Sequence, residues 1–198
     1  MKKFIKEFEI SPLARYVEMS AWEITSKSIS ILHVMLNEIK GDYYIADGVA
    51  IHRSATIETG AILKEPTIIG PRCFVAHGAY VRGGCWLDAE CILGPGAELK
   101  SSFLFAGTKL AHFNFVGDSV LGSGCNLEAG SIIANYRNET EGAAITISYD
   151  GQSVNTGVSK FGALLGDRVR LGANSVVAPG AILPSGTVIR RLALVDQG

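Results

Sequence analysis

Two basic residues, Arg82 and Lys100, stand 18 residues apart. If 18 residues form one structural repeat, the two side chains stack about 5 Å apart, the spacing of neighbouring strands. Like charges that close repel each other unless an anion lies between them. The pair then reads as a phosphate clamp, a guanidinium fork beside an ammonium point charge. The other reading is two solvated surface cations. His112 has Ala111, Phe113, Phe115 and Val116 around it. An imidazole partly removed from water suits a general base; the alternative is a structural histidine in an odd corner. Asn126, Asn135 and Lys160 lie near a break in the chain's pattern, where a turn role is the alternative. His33, His52 and His77 have no such setting, and His52, His77 and His112 are 25 and 35 residues apart, unlike an HxxxxH zinc pair. Cys73, Cys85, Cys91 and Cys125 form no CxxC pair, so metal and dithiol chemistry lose their spacing support.

These side chains need a scaffold, and the sequence supplies one. Starting at Ile45, every sixth residue is aliphatic: Ile51, Ile57, Leu63, Ile69, Val75, Val81, Leu87, Leu93 and Leu99. Chance would give such a run about once in a million tries at ordinary composition. Four places after each aliphatic lies a small or medium residue, and Gly fills many of the places between. The small residue and the next aliphatic are two apart, so both face one side of a strand. Glycine falls outside that strand, in a corner where a positive φ costs little. Three such units make a triangular coil, and coils stack about 4.8 Å apart. Each inward aliphatic contributes about 1.5–3 kcal/mol by burial. The expected fold is all-β, a parallel β-helix of hexapeptide repeats over residues 45–198. All four cysteines then occupy interior small sites, where packing explains them. Arg82 and Lys100 each follow an inward aliphatic, so both point outward.

The beat returns at Phe115, Leu121, Leu127 and Ile133, and again from Leu165 to Ile189. It slips between Ala111 and Phe115, around His112, and breaks between Ile133 and Leu165. Broken local rules mark function or strain. The second break holds ITISYDGQSVNT, which predicts a β-hairpin with a type I′ turn at Asp150-Gly151, projecting from the solenoid within an insertion near residues 136–160. Residues 1–44 lack the beat. Ile24, Ile31, Val34, Met35 and Ile39 have helical spacing and end at Gly41. That segment is expected to be a helical cap on the first coil, with a partner-binding helix as the alternative.

Composition sets bounds on function. The formal net charge of −1 gives no basic surplus for nucleic acid. No apolar stretch is long enough to span a membrane. Glu7 and Glu9 interrupt the N-terminal segment, a poor secretory leader. A cytoplasmic location is expected.

Residues 98–136, ELKSSFLFAGTKLAHFNFVGDSVLGSGCNLEAGSIIANY, follow the pattern E-x-K…K-x-x-H-x-x-[YF]-x-G-D-S…N-x-x-A-G…A-N-Y. This stretch resembles the acetyltransferase half of the bifunctional glucosamine-1-phosphate acetyltransferase/N-acetylglucosamine-1-phosphate uridylyltransferases. The hairpin insertion and the SKFGALLGD that follows are similar to archaeal-type sugar-1-phosphate nucleotidyltransferase relatives. The resemblance implies a left-handed parallel β-helix and a homotrimer with active sites between neighbouring solenoids. It implies acetyl-CoA as acyl donor and an amino-sugar phosphate, foremost glucosamine-1-phosphate, as acceptor. By position, His112 falls on the catalytic base, and Arg82 and Lys100 on the sugar-phosphate-binding cations. Asn126 and Lys160 fall on further sugar-phosphate contacts, Asn135 beside the acetyl thioester, and Ala129 and Ala173 on coenzyme contacts. Two residues depart from the family: Phe115 stands where Tyr is usual, and Ala173 replaces a frequent Ser. No Gly-rich nucleotide loop precedes residue 45, so the chain is expected neither to make a nucleotide sugar alone nor to hold that half's Mg²⁺. Alternatives are an acyltransferase for another amino or nucleotide sugar, or a non-catalytic sugar-phosphate-binding trimer that partners a separate nucleotidyltransferase.

Overall fold

Strands of only two to four residues recur along the chain, each with an aliphatic side chain turned inward. So short a strand is stable only when it is paired on both sides, and stacked coils provide that pairing. The computed structural model, which describes residues 1–149 and 151–197, is a parallel β-solenoid with three walls. The first wall runs from Val49–His52 to Ala181–Leu183, the second from Thr56–Ile57 to Val188–Ile189, and the third from Ile62–Leu63 to Leu194–Val195. Ile69, Leu87, Leu104, Leu121, Leu165 and Leu183 stack inside the first wall, and the other walls have matching columns. All four cysteines are buried in this interior and unpaired.

The repeat begins later than the beat suggests. Tyr43–Ala46 pairs antiparallel with Val49–His52 through a turn at Asp47-Gly48, both with positive φ, and Ile45 is 50% exposed. The phase near His112 also needs correcting. The inward residues are Leu99, Leu104, Leu110, Val116 and Leu121, so two corners between the third and first walls are one residue short. At the preceding coil this corner uses two left-handed glycines, Gly83 and Gly84; at the short corners a single left-handed residue, Ser101 or Asp118, makes the turn. Phe115 therefore points outward, not into the core.

The first wall is apolar on its outer face as well. Ala50, Ile68, Trp86, Phe103, Val120, Leu164 and Ile182 form a second core with Ile5, Phe8, Leu13, Ile24 and Leu32. The N-terminal segment thus lies along the wall and does not sit over the end of the stack. Its helices are α1 (Ala21–Ser26), opened by a Ser20–Glu23 capping box, and α2 (Ser28–Glu38). The amide of Lys6 donates to Asp167, and Phe4 accepts from the amide of Asp167. The inserted hairpin, Thr146–Tyr149 with Gln152–Asn155, does not project: Ile145 and Ile147 are buried in the same outer core. Its expected type I′ turn includes Asp150, outside the described residues. No described helix is long and apolar enough to cross a membrane. The chain itself covers the first wall, which leaves the second and third walls and the corner between them for ligands.

Close coil contact predicts one sensitive position. A Cβ on Gly94 would lie 1.6 Å from the carbonyl oxygen of Ala111 on the next coil. Gly94→Ala should cost about 3 kcal/mol or more, since neither backbone can yield without breaking rung hydrogen bonds. Denaturant unfolding of the variant measures this.

Candidate active site

On the third wall Leu99 pairs with Val81, and Lys100 pairs with Gly117. Arg82 and Lys100 therefore sit on adjacent rungs, both turned outward, as their spacing requires. They are not bare cations. Arg82 Nη1 lies 2.9 Å from Glu98 Oε1, and Lys100 Nζ lies 3.0 Å from Asp118 Oδ2. The mutual repulsion that seemed to demand an anion is already offset by carboxylates of the chain itself. Both cations line an open concavity of about 420 Å³ with Phe115, Asn135, Tyr136 and Lys160. Phe115 reaches it because of the short corners.

Local geometry explains how the others arrive. Gly117 carries no Cβ; one there would lie 2.7 Å from Asn135 Nδ2 and 2.9 Å from Phe115 Cζ. This close approach lets the Asn135 amide donate to Asp118 Oδ2. The amide of Phe161 donates to Asn135 O at 3.0 Å, and that of Gly162 to Asp118 O at 2.9 Å. The chain returning from the insertion is pinned at the groove, and Lys160 is delivered with it. Tyr136 Oη accepts from the amide of Gly142 at 3.1 Å.

His112 is elsewhere on the prism. It occupies the corner between the second and third walls and is exposed, and its side chain has no hydrogen bond or ion pair among the described residues. Partial desolvation does not occur within one chain. Gly130 N–H donates to His112 O, Asn174 N–H to Ala129 O, and Leu192 N–H to Ala173 O. His112, Ala129 and Ala173 therefore follow one another up the same corner. Buried Asn114 donates to Glu128 O and Ser131 Oγ, which fixes the backbone beneath His112.

Asn126 lies on the second wall, away from the cations of the third. It lines a concavity of about 610 Å³ with Glu128, Arg170, Arg190 and Arg191. Glu128 accepts the amide of Ala173 at 2.9 Å and pairs with Arg191 at 2.8 Å. The backbone N–H first, and then Arg191, hold its carboxyl below the usual range. The N–H of Ala173 is thereby already engaged.

Five expected residues, Arg82, Lys100, Phe115, Asn135 and Lys160, thus meet in one concavity. His112, Ala129 and Ala173 share the adjoining corner, and Asn126 belongs to the far wall. Asp118, Glu98 and Tyr136 had no assigned role, although each stands inside the motif: Glu98 in E-x-K, Asp118 in G-D-S and Tyr136 in A-N-Y. No group of three metal-ligating side chains occurs among the described residues.

The Bifunctional protein GlmU of Methanococcus vannielii is 31% identical over 182 residues, covering 89% of this chain and 43% of the relative. The chain is a homologue of these bifunctional proteins. A second relative, the Bifunctional sugar-1-phosphate nucleotidylyltransferase/acetyltransferase of Sulfurisphaera tokodaii, is 30% identical over 145 residues, with 73% of this chain and 36% of the relative covered. The chain spans less than half the length of the GlmU relatives. No family model matches it. Among solved structures, a mutant of perosamine N-acetyltransferase from Caulobacter crescentus, in complex with CoA and GDP-perosamine, aligns with a TM-score of 0.34 and 17% identity, over 73% of this chain and 53% of that one.

Proposed function

We propose that this chain transfers the acetyl group of acetyl-CoA to the amine of an amino-sugar phosphate, foremost glucosamine-1-phosphate. The observation that carries the reading is the third-wall concavity, where Arg82, Lys100 and Lys160 surround Phe115 and Asn135. Three cations beside two local carboxylates leave room for an added phosphate. Phe115 offers a flat apolar surface to a sugar ring.

The third wall is about 7–10 Å wide at its strands, from the rise per residue. A sugar phosphate held at one edge can direct its amine toward His112 at the other. The three arginines of the second wall, opposed by Glu128, suit the phosphates of coenzyme A. The thioester supplies an activated acetyl carbonyl at the corner between these walls. As the N–C bond forms, His112 takes the proton from the amine nitrogen. A backbone N–H at that corner stabilises charge on the carbonyl oxygen, and the free N–H of the Asn135 amide, at the other edge of the wall, is left to the acceptor. The C–S bond breaks and coenzyme A leaves as its thiol. Transfer is direct: all four cysteines are buried in the solenoid interior, out of reach of the thioester, and burial pushes the Cys85 and Cys125 thiols up to about 12. The reading includes a homotrimer, supported by Phe113, Ile132, Val176 and Leu194, which are exposed on the same wall and corner. A second copy packed there would remove water from His112.

The test is release of free thiol on mixing protein, acetyl-CoA and glucosamine-1-phosphate, read with a chromogenic disulfide. The buried cysteines stay silent in this assay. Thiol release that depends on the acceptor, matched by N-acetylated product, is the expected result. Absence of acceptor-dependent release across a panel of amino-sugar phosphates would overturn the reading.

A further inference from the structure

Asp118 is nearly buried, at 5% exposure, and occupies a left-handed backbone conformation with φ 46°. A non-glycine residue persists there only when its surroundings hold it. Here the backbone is held on both sides: its N–H donates to Lys100 O and its carbonyl accepts from Gly162 N–H. The carboxylate takes two polar side chains of the adjoining groove, Lys100 Nζ at 3.0 and 3.1 Å and the Asn135 amide. Among the ion pairs of the described residues, this is the one with both partners largely out of water, at 22% and 7% side-chain exposure. The other cation of the wall, Arg82, pairs with Glu98 at 43% and 34%. The short corner at Asp118 is what brings this carboxylate level with the Lys100 rung, so the irregularity in the repeat has a use.

We infer that Asp118 is the positioning residue of the acceptor groove: it holds the Lys100 ammonium and the Asn135 amide at a fixed separation, each with donors left for a ligand. Of the three N–H donors of Lys100, those toward Asp118 make the short contacts, and the third reaches only the Ser101 hydroxyl, at 3.3 Å, which a ligand oxygen can replace. Asn135 spends one of its two amide hydrogens on Asp118. The carboxylate acts through these two groups and does not itself face the groove lining. This inference rests on the acceptor site proposed above.

The test substitutes Asp118→Asn, which keeps the shape and removes the charge. Lys100 and Asn135 both reach Oδ2, so an amide oxygen there can still accept from each, but the NH₂ group at the Oδ1 position then opposes the Lys100 ammonium and the charge pairing is lost. With acetyl-CoA and glucosamine-1-phosphate, KM for the acceptor should rise about tenfold or more and kcat should fall by a similar factor, as for a misplaced substrate. KM for acetyl-CoA should stay within about twofold. A second readout needs no activity: peptide mass spectrometry of the rate at which acetic anhydride modifies Lys100. That rate should rise about fivefold or more on loss of the charged partner, while exposed Lys109 on the second wall serves as internal reference. If Asp118→Asn does not fold, the double variant Lys100→Met/Asp118→Asn leaves no buried charge behind. Its acceptor KM should match that of Lys100→Met alone, with kcat lower, because the action of Asp118 on KM runs through Lys100. A folded Asp118→Asn with unchanged acceptor KM and unchanged Lys100 labelling overturns the inference, as does a double variant whose acceptor KM far exceeds that of Lys100→Met. A wild type that releases no thiol defeats the functional reading, and the labelling rate then decides the role of Asp118 by itself.

Discussion

His112→Ala lowers kcat with acetyl-CoA and glucosamine-1-phosphate by about 10²–10⁴-fold, the usual contribution of a general base. The prediction is clean because the side chain does so little for the fold. It is exposed and has no hydrogen bond or ion pair among the described residues. The corner is fixed from below by Asn114 and by the His112 carbonyl, which accepts from Gly130 whatever side chain is present. Truncation should change stability by no more than about 0.5 kcal/mol. KM for both substrates should move little, since phosphate binding and coenzyme binding are assigned to other walls. A variant that acetylates as fast as wild type would remove His112 from the mechanism.

Lys100→Met raises the acceptor KM by about 10–100-fold, the worth of a charge-assisted hydrogen bond to a phosphate. It also destabilises the chain by about 3 kcal/mol, because Asp118 is left as a buried carboxylate without its cation. Arg82→Met separates the two effects. The Arg82–Glu98 pair is much more exposed, so its loss costs at most about 1 kcal/mol of stability, while acceptor KM rises to a similar degree. Combining Lys100→Met with Asp118→Asn should recover most of the lost stability and none of the lost affinity. Chemical denaturation and steady-state kinetics on the same four proteins measure both quantities. Equal stability of Lys100→Met and wild type would mean that Asp118 is not held by Lys100.

Much of this was legible in the sequence for a simple reason. A six-residue beat has one geometric solution, and register then follows from arithmetic: residues 18 apart stack, as Arg82 and Lys100 do. Two corners defeated that arithmetic. Ser101 and Asp118 each make a turn in one residue where a glycine pair is used elsewhere, and hydrophobicity alone does not distinguish Phe115 from Val116 as the inward side chain. The carboxylates were missed because spacing identifies a stack but not the partner from the next corner; Asp118 reaches Lys100 across a coil boundary. The N-terminal segment was misplaced because its helical spacing gives a buried face but not the surface that covers it. The deciding signal lay in the first wall, where Ile68, Trp86, Phe103, Val120 and Leu164 are apolar at the outward positions. A wall apolar on both faces must be covered.

The most direct measurement is the ratio of kcat/KM for glucosamine-1-phosphate to that for glucosamine, with acetyl-CoA fixed. A groove built around Arg82, Lys100 and Lys160 predicts a preference of about 100-fold or more for the phosphorylated amine. Equal values for the two acceptors would contradict it, since the three cations would then have no anion to hold.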